Sequence, residues 1–264
     1  MIRLLFLGIL CIVSTLFAAT PPCAPRQTLG QPALTDDDLL RLLRGALQGD
    51  REAQFRAGFS YESGCGVPQS FEQAIHWYRK AAENGHLAAQ NSLGMLYLRG
   101  LGVEQSDAEA MRWYLRAASE GFAPAQNNVG YMYETGRARA NASGSSITDD
   151  EAIKWYRKAA ESGSAAGDLN LGRVYLNGIG VRQDFVIAVK WFRKAVAHGS
   201  AAACDELGRA YQNGTGAPQD YSIAKSWYRL AIQRGYALAK QDLAALDGLE
   251  RQAASNLGES HPVR

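Results

Sequence analysis

One twelve-residue pattern of apolar and polar positions recurs five times along the chain. In each copy the apolar and small residues fall at offsets 0, 3, 4, 7 and 8, which places them on one face of an α-helix. A glycine closes every copy and predicts a helix that ends in the left-handed conformation. The copies are AIHWYRKAAENG at 74–85, AMRWYLRAASEG at 110–121, AIKWYRKAAESG at 152–163, AVKWFRKAVAHG at 188–199 and AKSWYRLAIQRG at 224–235.

A second pattern comes before each of these helices. It places a small residue, an apolar residue, a glycine and a tyrosine on one helical stripe, as in Ala89, Leu93, Gly94 and Tyr97. A mid-helix glycine costs about 1 kcal/mol relative to alanine. We therefore expect the paired helices to approach so closely that a Cβ atom would collide. The glycines are Gly58, Gly94, Gly130, Gly172 and Gly208.

The spacing of the two patterns is nearly constant. All five tryptophans lie in the first pattern, 36 residues apart except for 42 between Trp113 and Trp155, where Arg137–Thr148 forms an insertion. A fixed period of this size predicts a stacked helical repeat protein. The tryptophans are Trp77, Trp113, Trp155, Trp191 and Trp227.

The pattern LGxxYxxGxGV followed by AxxWYxxAAxxG resembles the Sel-one-like (Sel1-like) repeat family, relatives of the tetratricopeptide repeats. The resemblance implies an all-α fold, a right-handed α-α superhelix (solenoid) of about twelve helices in antiparallel pairs. We expect capping helices at 35–50 and 237–252, because the ends of a stacked array need covering. The resemblance covers 51–236 as five units, 51–86, 87–122, 123–164, 165–200 and 201–236.

The two ends of the chain do not follow the repeat patterns. Residues 1–19 carry one positive charge, an uncharged apolar run and small residues, which is the order of a secretory signal peptide. We expect a Pro-rich linker at 20–34 and a disordered tail at 253–264. An uncleaved N-terminal anchor is the alternative to the signal. The prediction is an exported protein, periplasmic or secreted, with no membrane span after signal removal.

Export implies an oxidising compartment. Removal of the signal leaves Cys23, Cys65 and Cys204. A disulfide between Cys23 and Cys65 is one interpretation, and three free thiols are the other. The chain has no C-x-x-C pattern, and we predict neither a metal site nor a cofactor.

The candidate binding site lies on the first helix of each unit, on the side away from the predicted core. The resemblance implies that this helix lines the concave side of the array, where a row of exposed apolar residues would mark a partner site. The alternative is that these side chains pack between successive units. The predicted row is Phe55, Phe59, Asn91, Met95, Asn127, Tyr131, Arg173 and Arg209.

The charge of the chain does not indicate a different kind of partner. The net charge is +2, too small to indicate a nucleic-acid surface. Basic residues do recur on the Trp helices, but glutamates follow four residues later, as in Arg79 and Glu83 or Arg116 and Glu120. This spacing predicts exposed ion pairs on a solvated helix, so we predict no nucleic-acid partner.

Catalytic chemistry has one weak candidate. Ser222 and Lys225 match S-x-x-K, the acylation motif of penicillin-recognising enzymes, but its Ser-Asp-Asn and Lys-Thr-Gly companions are absent. We predict no enzyme. The predicted function is a monomeric adaptor or scaffold that binds a protein or peptide in its concave groove. The alternatives are a periplasmic immunity protein that neutralises a toxin and, of another class, a β-lactam-binding enzyme.

Overall fold

The computed structural model describes residues 36–138 and 149–259 of the 264-residue chain. The predicted signal peptide, the linker and most of the insertion lie outside these residues. Within them the protein is all-α, with twelve helices and no strand, which confirms the predicted fold class. The helices are α1 Asp36–Leu47, α2 Arg51–Ser63, α3 Phe71–Glu83, α4 Leu87–Arg99, α5 Asp107–Ser119, α6 Ala123–Glu134, α7 Asp149–Glu161, α8 Ala165–Asn177, α9 Phe185–Ala197, α10 Ala201–Asn213, α11 Tyr221–Gln233 and α12 Ala239–Glu259.

The chain divides into two compact units, residues 1–120 and 121–264. The first contains α1 to α5 and the second contains α6 to α12. In both units each helix packs against its neighbours along the chain. We call α2, α4, α6, α8 and α10 the first helices of their repeats, and α3, α5, α7, α9 and α11 the second helices.

The core of each repeat centres on the aromatic ring that follows the tryptophan. These five rings are at most 1% exposed, because they lie between the paired helices. The indoles are less enclosed: Trp77 and Trp113 are buried, whereas the other three are half-buried. The enclosed rings are Tyr78, Tyr114, Tyr156, Phe192 and Tyr228.

The mid-helix glycines lie directly against these rings. A Cβ added to Gly94 would be 2.7 Å from the ring of Tyr114, and one added to Gly58 would be 2.5 Å from the ring of Tyr78. Side chains essentially never approach so closely. The predicted reason for the glycine, a helix contact too close for a Cβ, is confirmed.

The turns between helices also follow the predicted chemistry. Gly85 ends the α3 segment with φ of +78°, the left-handed conformation that the sequence predicted. Gly102 has φ of +69°, and its added Cβ would be 2.5 Å from the backbone of Phe71, so only glycine fits there. The hydroxyls of Ser70 and Ser106 accept hydrogen bonds from the first turns of α3 and α5.

The terminal helices occupy different places in the repeat register. Helix α1 is aligned with a second helix: Leu42 stands 36 residues before Tyr78 and is buried. Helix α12 is aligned with a first helix, with Leu243 standing 36 residues after Leu207. It continues to Glu259, so the prediction of a disordered tail from residue 253 is wrong for its first seven residues. Ala253 and Ala254 favour helix and extend it.

Candidate partner-binding site

The residue after each mid-helix glycine lies about 100° further round the helix than that glycine. In the first unit this residue is Phe59 in α2 and Met95 in α4. In the second unit it is Tyr131 in α6. Phe59 and Tyr131 are each 43% exposed, and Met95 is half-buried. These two aromatic side chains are therefore free to contact a partner.

Phe55 has a structural role. Its ring stacks on His86 at 4.4 Å between centroids and lies 5.7 Å from the ring of Tyr78. His86 Nδ1 accepts a hydrogen bond from the backbone of Ala89, so its Nε2 carries the proton and donates to Glu52 at 3.0 Å. The interpretation that these side chains pack within the array therefore describes Phe55 better than partner binding does.

The two asparagines of the predicted row are also engaged. Asn127 accepts a hydrogen bond of 2.9 Å from Asn170, which joins α6 to α8 within the second unit. Asn91 is half-buried and makes polar interactions of its own. The bond to Asn170 places Asn127 in a link between helices.

The arginines of the predicted row form ion pairs within the second unit. Arg173 in α8 bonds Glu206 in α10 at 2.9 Å. Arg209 in α10 bonds Asp242 in α12 at 2.7 Å and approaches Asp205 at 2.8 Å. Both inter-helix pairs have a spacing of 33 residues. In α8 and α10 the predicted row therefore connects successive repeats. The positive charges of these arginines are neutralised by carboxylates within the protein.

Asp205 is the most buried carboxylate of this network. It is 1% exposed, and neither carboxylate oxygen has a hydrogen bond of good geometry. Burial raises its pKa to about 6, while Arg209 opposes this shift and Asp242 adds to it. The network therefore contains a group that titrates close to neutral pH.

The basic residues of the second helices are arranged differently from the prediction. Within the described residues no ion pair joins Arg79 to Glu83 or Arg116 to Glu120. Arg79 instead donates to the Tyr97 hydroxyl at 2.8 Å. Other cations lie over indole rings, as Lys158 does over Trp155 at 4.1 Å. The half-buried indoles offer these cations a better partner than a solvated carboxylate does.

A buried side chain near the start of each first helix links helix ends, and the sequence analysis missed it. Gln90 donates to the carbonyl of Ala82 at 3.0 Å, which fixes the end of α3. In the fourth repeat the same position is Asp168, fully buried, which bonds His198 at 2.6 Å and lies 3.3 Å from Lys194. A polar residue recurring in the repeat register is the signal that could have revealed this link.

The S-x-x-K tetrapeptide has no catalytic geometry. Lys225 Nζ binds Asp247 at 2.6 Å and also Glu250, both in α12. Its hydrogen bonds to these carboxylates raise the pKa of Lys225, so its amine stays protonated. A protonated amine cannot act as the base that would activate Ser222.

The cysteines of the described residues differ in state. Cys65 is disulfide-bonded, whereas Cys204 is free and buried. The predicted partner, Cys23, lies outside the described residues, so the pairing of Cys23 with Cys65 stays a prediction. Within the described part of the chain no helix is both long and apolar enough to span a bilayer.

Paired helices at a fixed spacing, with a glycine of the first helix under an aromatic ring of the second, define a helical repeat protein, an α-solenoid. A model of the Sel1 repeat family matches residues 51–86, 87–122, 123–164, 165–200 and 201–236. The chain belongs to the Sel1 repeat family, as its resemblance indicated. Proteins of this family are protein-interaction scaffolds and are typically non-catalytic.

Solved structures include several similar proteins. A Sel1 repeat protein from Oxalobacter formigenes is 31% identical with a TM-score of 0.65, over 81% of this chain and 79% of that one. The Escherichia coli protein c5321, described as a protective antigen of uropathogenic strains, is 33% identical with a TM-score of 0.65 over 80% of this chain. This chain spans only 44% of that protein.

A more distant similarity concerns the fold alone. The immunity protein Pa5087 from Pseudomonas aeruginosa has a TM-score of 0.56 at 18% identity, over 82% of this chain and 85% of that one. At this identity the likeness carries no argument for an immunity role. No curated protein sequence matches the chain.

Proposed function

We propose that the chain is an exported adaptor that binds a partner protein or peptide through the exposed aromatic residues of its first helices. The observation that carries this proposal is the exposure of Phe59 and Tyr131, each 43%, at the same register position in separate units. Large aromatic side chains dominate protein interfaces, because they bury much area at low conformational cost.

The ion pairs of the arginines narrow the proposed binding site to its aromatic residues. In α8 and α10 the same register position carries Arg173 and Arg209, which form ion pairs with Glu206 and Asp242. We therefore assign recognition to Phe59 and Tyr131, with Met95 as a half-buried neighbour. The arginines are assigned to the connection between repeats.

The state of the cysteines supports export. A disulfide at Cys65 would persist in the periplasm or outside the cell but would be reduced in the cytosol. The 33%-identical Escherichia coli protein is described as a protective antigen, and an antigen met by the host immune system agrees with a location outside the cytoplasm.

Photo-crosslinking in living bacteria tests this proposal. Benzoylphenylalanine is placed at Phe59 or Tyr131 of the full chain, and cells are irradiated before fractionation. We expect a discrete crosslinked product from both positions, with the same partner identified in each by mass spectrometry. The matched controls are Glu83 and Glu161, exposed residues of second helices in the same two units, which should give no such product. Equal crosslinking from all four positions would refute the proposed surface.

A further inference from the structure

The last helix, α12, repeats the register of a first helix, but no second helix follows it among the described residues. Its core positions follow the repeat: Ala239, Leu243 and Leu246 are buried or half-buried against α10 and α11. Thirty-six residues after Gly208 the chain has Ala244, and thirty-six residues after Gln212 it has Gly248. These two positions are the ones that a second helix covers in every complete repeat.

The ring of the second helix lies on the glycine in all five repeats, and in the first, third and fifth repeats its hydroxyl also reaches the second position. In the fifth repeat the ring of Tyr228 lies on Gly208, and its hydroxyl donates to Gln212 at 2.7 Å. In the first repeat the ring of Tyr78 lies on Gly58, and its hydroxyl donates to Glu62 at 2.5 Å. The two positions together form the seat of one aromatic ring.

On α12 this seat is open. Ala244 is exposed, and a Cβ added to Gly248 would meet no atom within 4 Å. Leu238 and Leu249 flank the seat and are 57% and 49% exposed. The residues in register with Leu249, at the ends of the five first helices, are all polar and exposed: Ser63, Arg99, Thr135, Asn177 and Asn213. Leu249 therefore adds apolar surface beside the open seat, at a position that stays exposed in the complete repeats.

We propose that this α12 face, formed by Leu238, Ala244, Gly248 and Leu249, binds an amphipathic helix of a partner protein that presents an aromatic ring. The bound helix would take the place of a second helix in a sixth repeat, and it continues the interface that the five repeats already use. The Cβ of Ala244 prevents the ring from lying as it does on Gly208. The ring therefore packs one turn further along, over Gly248.

Charge at the edge of the face further defines the partner. Lys240 and Arg251 are exposed and fall on one side of the seat at helical spacing, and neither forms an ion pair within the described residues. A partner helix with acidic residues beside its aromatic ring would complement this edge. The α12 face shares no residue with the site proposed at Phe59 and Tyr131, so this proposal does not depend on the proposed function.

A binding measurement with a defined peptide tests the proposal. The probe is a fluorescein-labelled, N-acetylated peptide of residues 149–163 of this chain, DDEAIKWYRKAAESG, which has an acidic start and the Trp-Tyr pair. Fluorescence anisotropy with the full chain should show saturable binding. Leu249→Glu and Gly248→Leu should each weaken it at least about tenfold, or about 1.4 kcal/mol. A peptide with both aromatic residues changed to alanine should not bind.

Matched variants separate this site from the first one. Phe59→Glu should leave peptide binding unchanged, because Phe59 is not one of the four residues that form the α12 face. Circular dichroism of the Leu249→Glu and Gly248→Leu chains should match that of the wild type, since both positions are open to solvent. Absence of peptide binding, or equal binding to all variants, would overturn the proposal. So would a dimer of the free chain, measured by light scattering, that Leu249→Glu dissociates, because a second copy would then cover the face.

Discussion

At the scale of single residues, the contact between a helix glycine and an aromatic ring determines how closely each pair of helices packs. A glycine in mid-helix lowers the stability of the helix by about 1 kcal/mol relative to alanine. Because Gly94 has no Cβ, the ring of Tyr114 can lie where such an atom would be only 2.7 Å away. The ring is fully buried as a result, and the dispersion contacts it gains offset the lost propensity.

Gly94→Ala is expected to destabilise the protein by about 1–3 kcal/mol, because the new methyl group forces the ring of Tyr114 or its helix to move. The measurement is the urea midpoint, followed by circular dichroism. The matched control is Gly248→Ala in α12, where the added Cβ meets nothing within 4 Å. That variant should be neutral or up to about 1 kcal/mol more stable. Equal effects at the two sites would contradict the close-contact explanation.

Asp205 predicts a specific pH dependence. Its pKa in the folded protein is about 6, above the ordinary value of 3.8, so the folded state holds the proton more tightly. The stability it contributes is present below 3.8 and is lost as pH rises through about 6. Between pH 4 and pH 7 the wild type should lose stability relative to Asp205→Asn, on the order of 2 kcal/mol. Parallel urea midpoints of the two chains across this range would contradict the assignment.

How far single residues could be predicted from the sequence varied with the kind of contact. The reason for the glycines followed from their repetition, because a cost that recurs at one register needs one structural cause. The roles of Phe55 and Arg173 did not follow, because their partners His86 and Glu206 are brought near only by folding. A face pattern identifies which side a residue lies on, but it does not identify what contacts that side.

At the scale of helices, a buried side chain connects the start of a first helix to the end of a second helix. In the fourth repeat Asp168 does this by binding His198, at the end of α9, at 2.6 Å. Removing one partner of a buried polar pair leaves the other without its hydrogen bond, which is costly. The connection should therefore contribute more than the surface ion pairs do.

A double-mutant cycle on Asp168 and His198 measures this contribution. Asp168→Ala and His198→Ala should be strongly non-additive, with a coupling energy of about 1–2 kcal/mol in urea denaturation at pH 6. The exposed pair Arg112 and Glu109, 2.6 Å apart within α5, is the control and should couple by less than about 0.5 kcal/mol. Comparable coupling energies in the two cycles would mean that the buried pair adds no special link.

Helix types and order could be predicted from the two recurring patterns, since their period and closing glycines mark each helix. The end of α12 could not, because no strong stop signal follows Gly235 until Pro262. The predicted ion pairs on the second helices also failed, since spacing alone does not reveal that folding brings the Tyr97 hydroxyl to Arg79 and the ring of Trp113 to Arg116. The candidate site was predicted as a row, and the structure separates it into exposed aromatic residues and paired arginines.

At the scale of the whole molecule, export and the disulfide make one joint prediction. Protein purified from the periplasm should begin near residue 20, because export would remove the proposed signal at 1–19. Peptide mapping without reductant should link Cys65 to Cys23 and find Cys204 free. A retained Met1, or Cys65 recovered as a free thiol, would contradict the assignment to an oxidising compartment.

The aromatic residues named here fall into two groups, one enclosed between helices and one exposed to solvent. Rings in the second helices, such as Tyr78 and Tyr156, are enclosed and hold each repeat together. Rings after the glycines of the first helices, Phe59 and Tyr131, are exposed and available to a partner. The central claim is that this second group contributes to binding and little to stability.

The double variant Phe59→Ala with Tyr131→Ala tests that claim most directly, with binding and stability measured on one preparation. Affinity for the partner identified by crosslinking should fall at least about tenfold, or about 1.4 kcal/mol. The thermal midpoint should stay within about 2 °C of the wild type, because neither ring belongs to the core. A midpoint that falls in step with the affinity would contradict the account, since it would mean that these rings hold the repeats together.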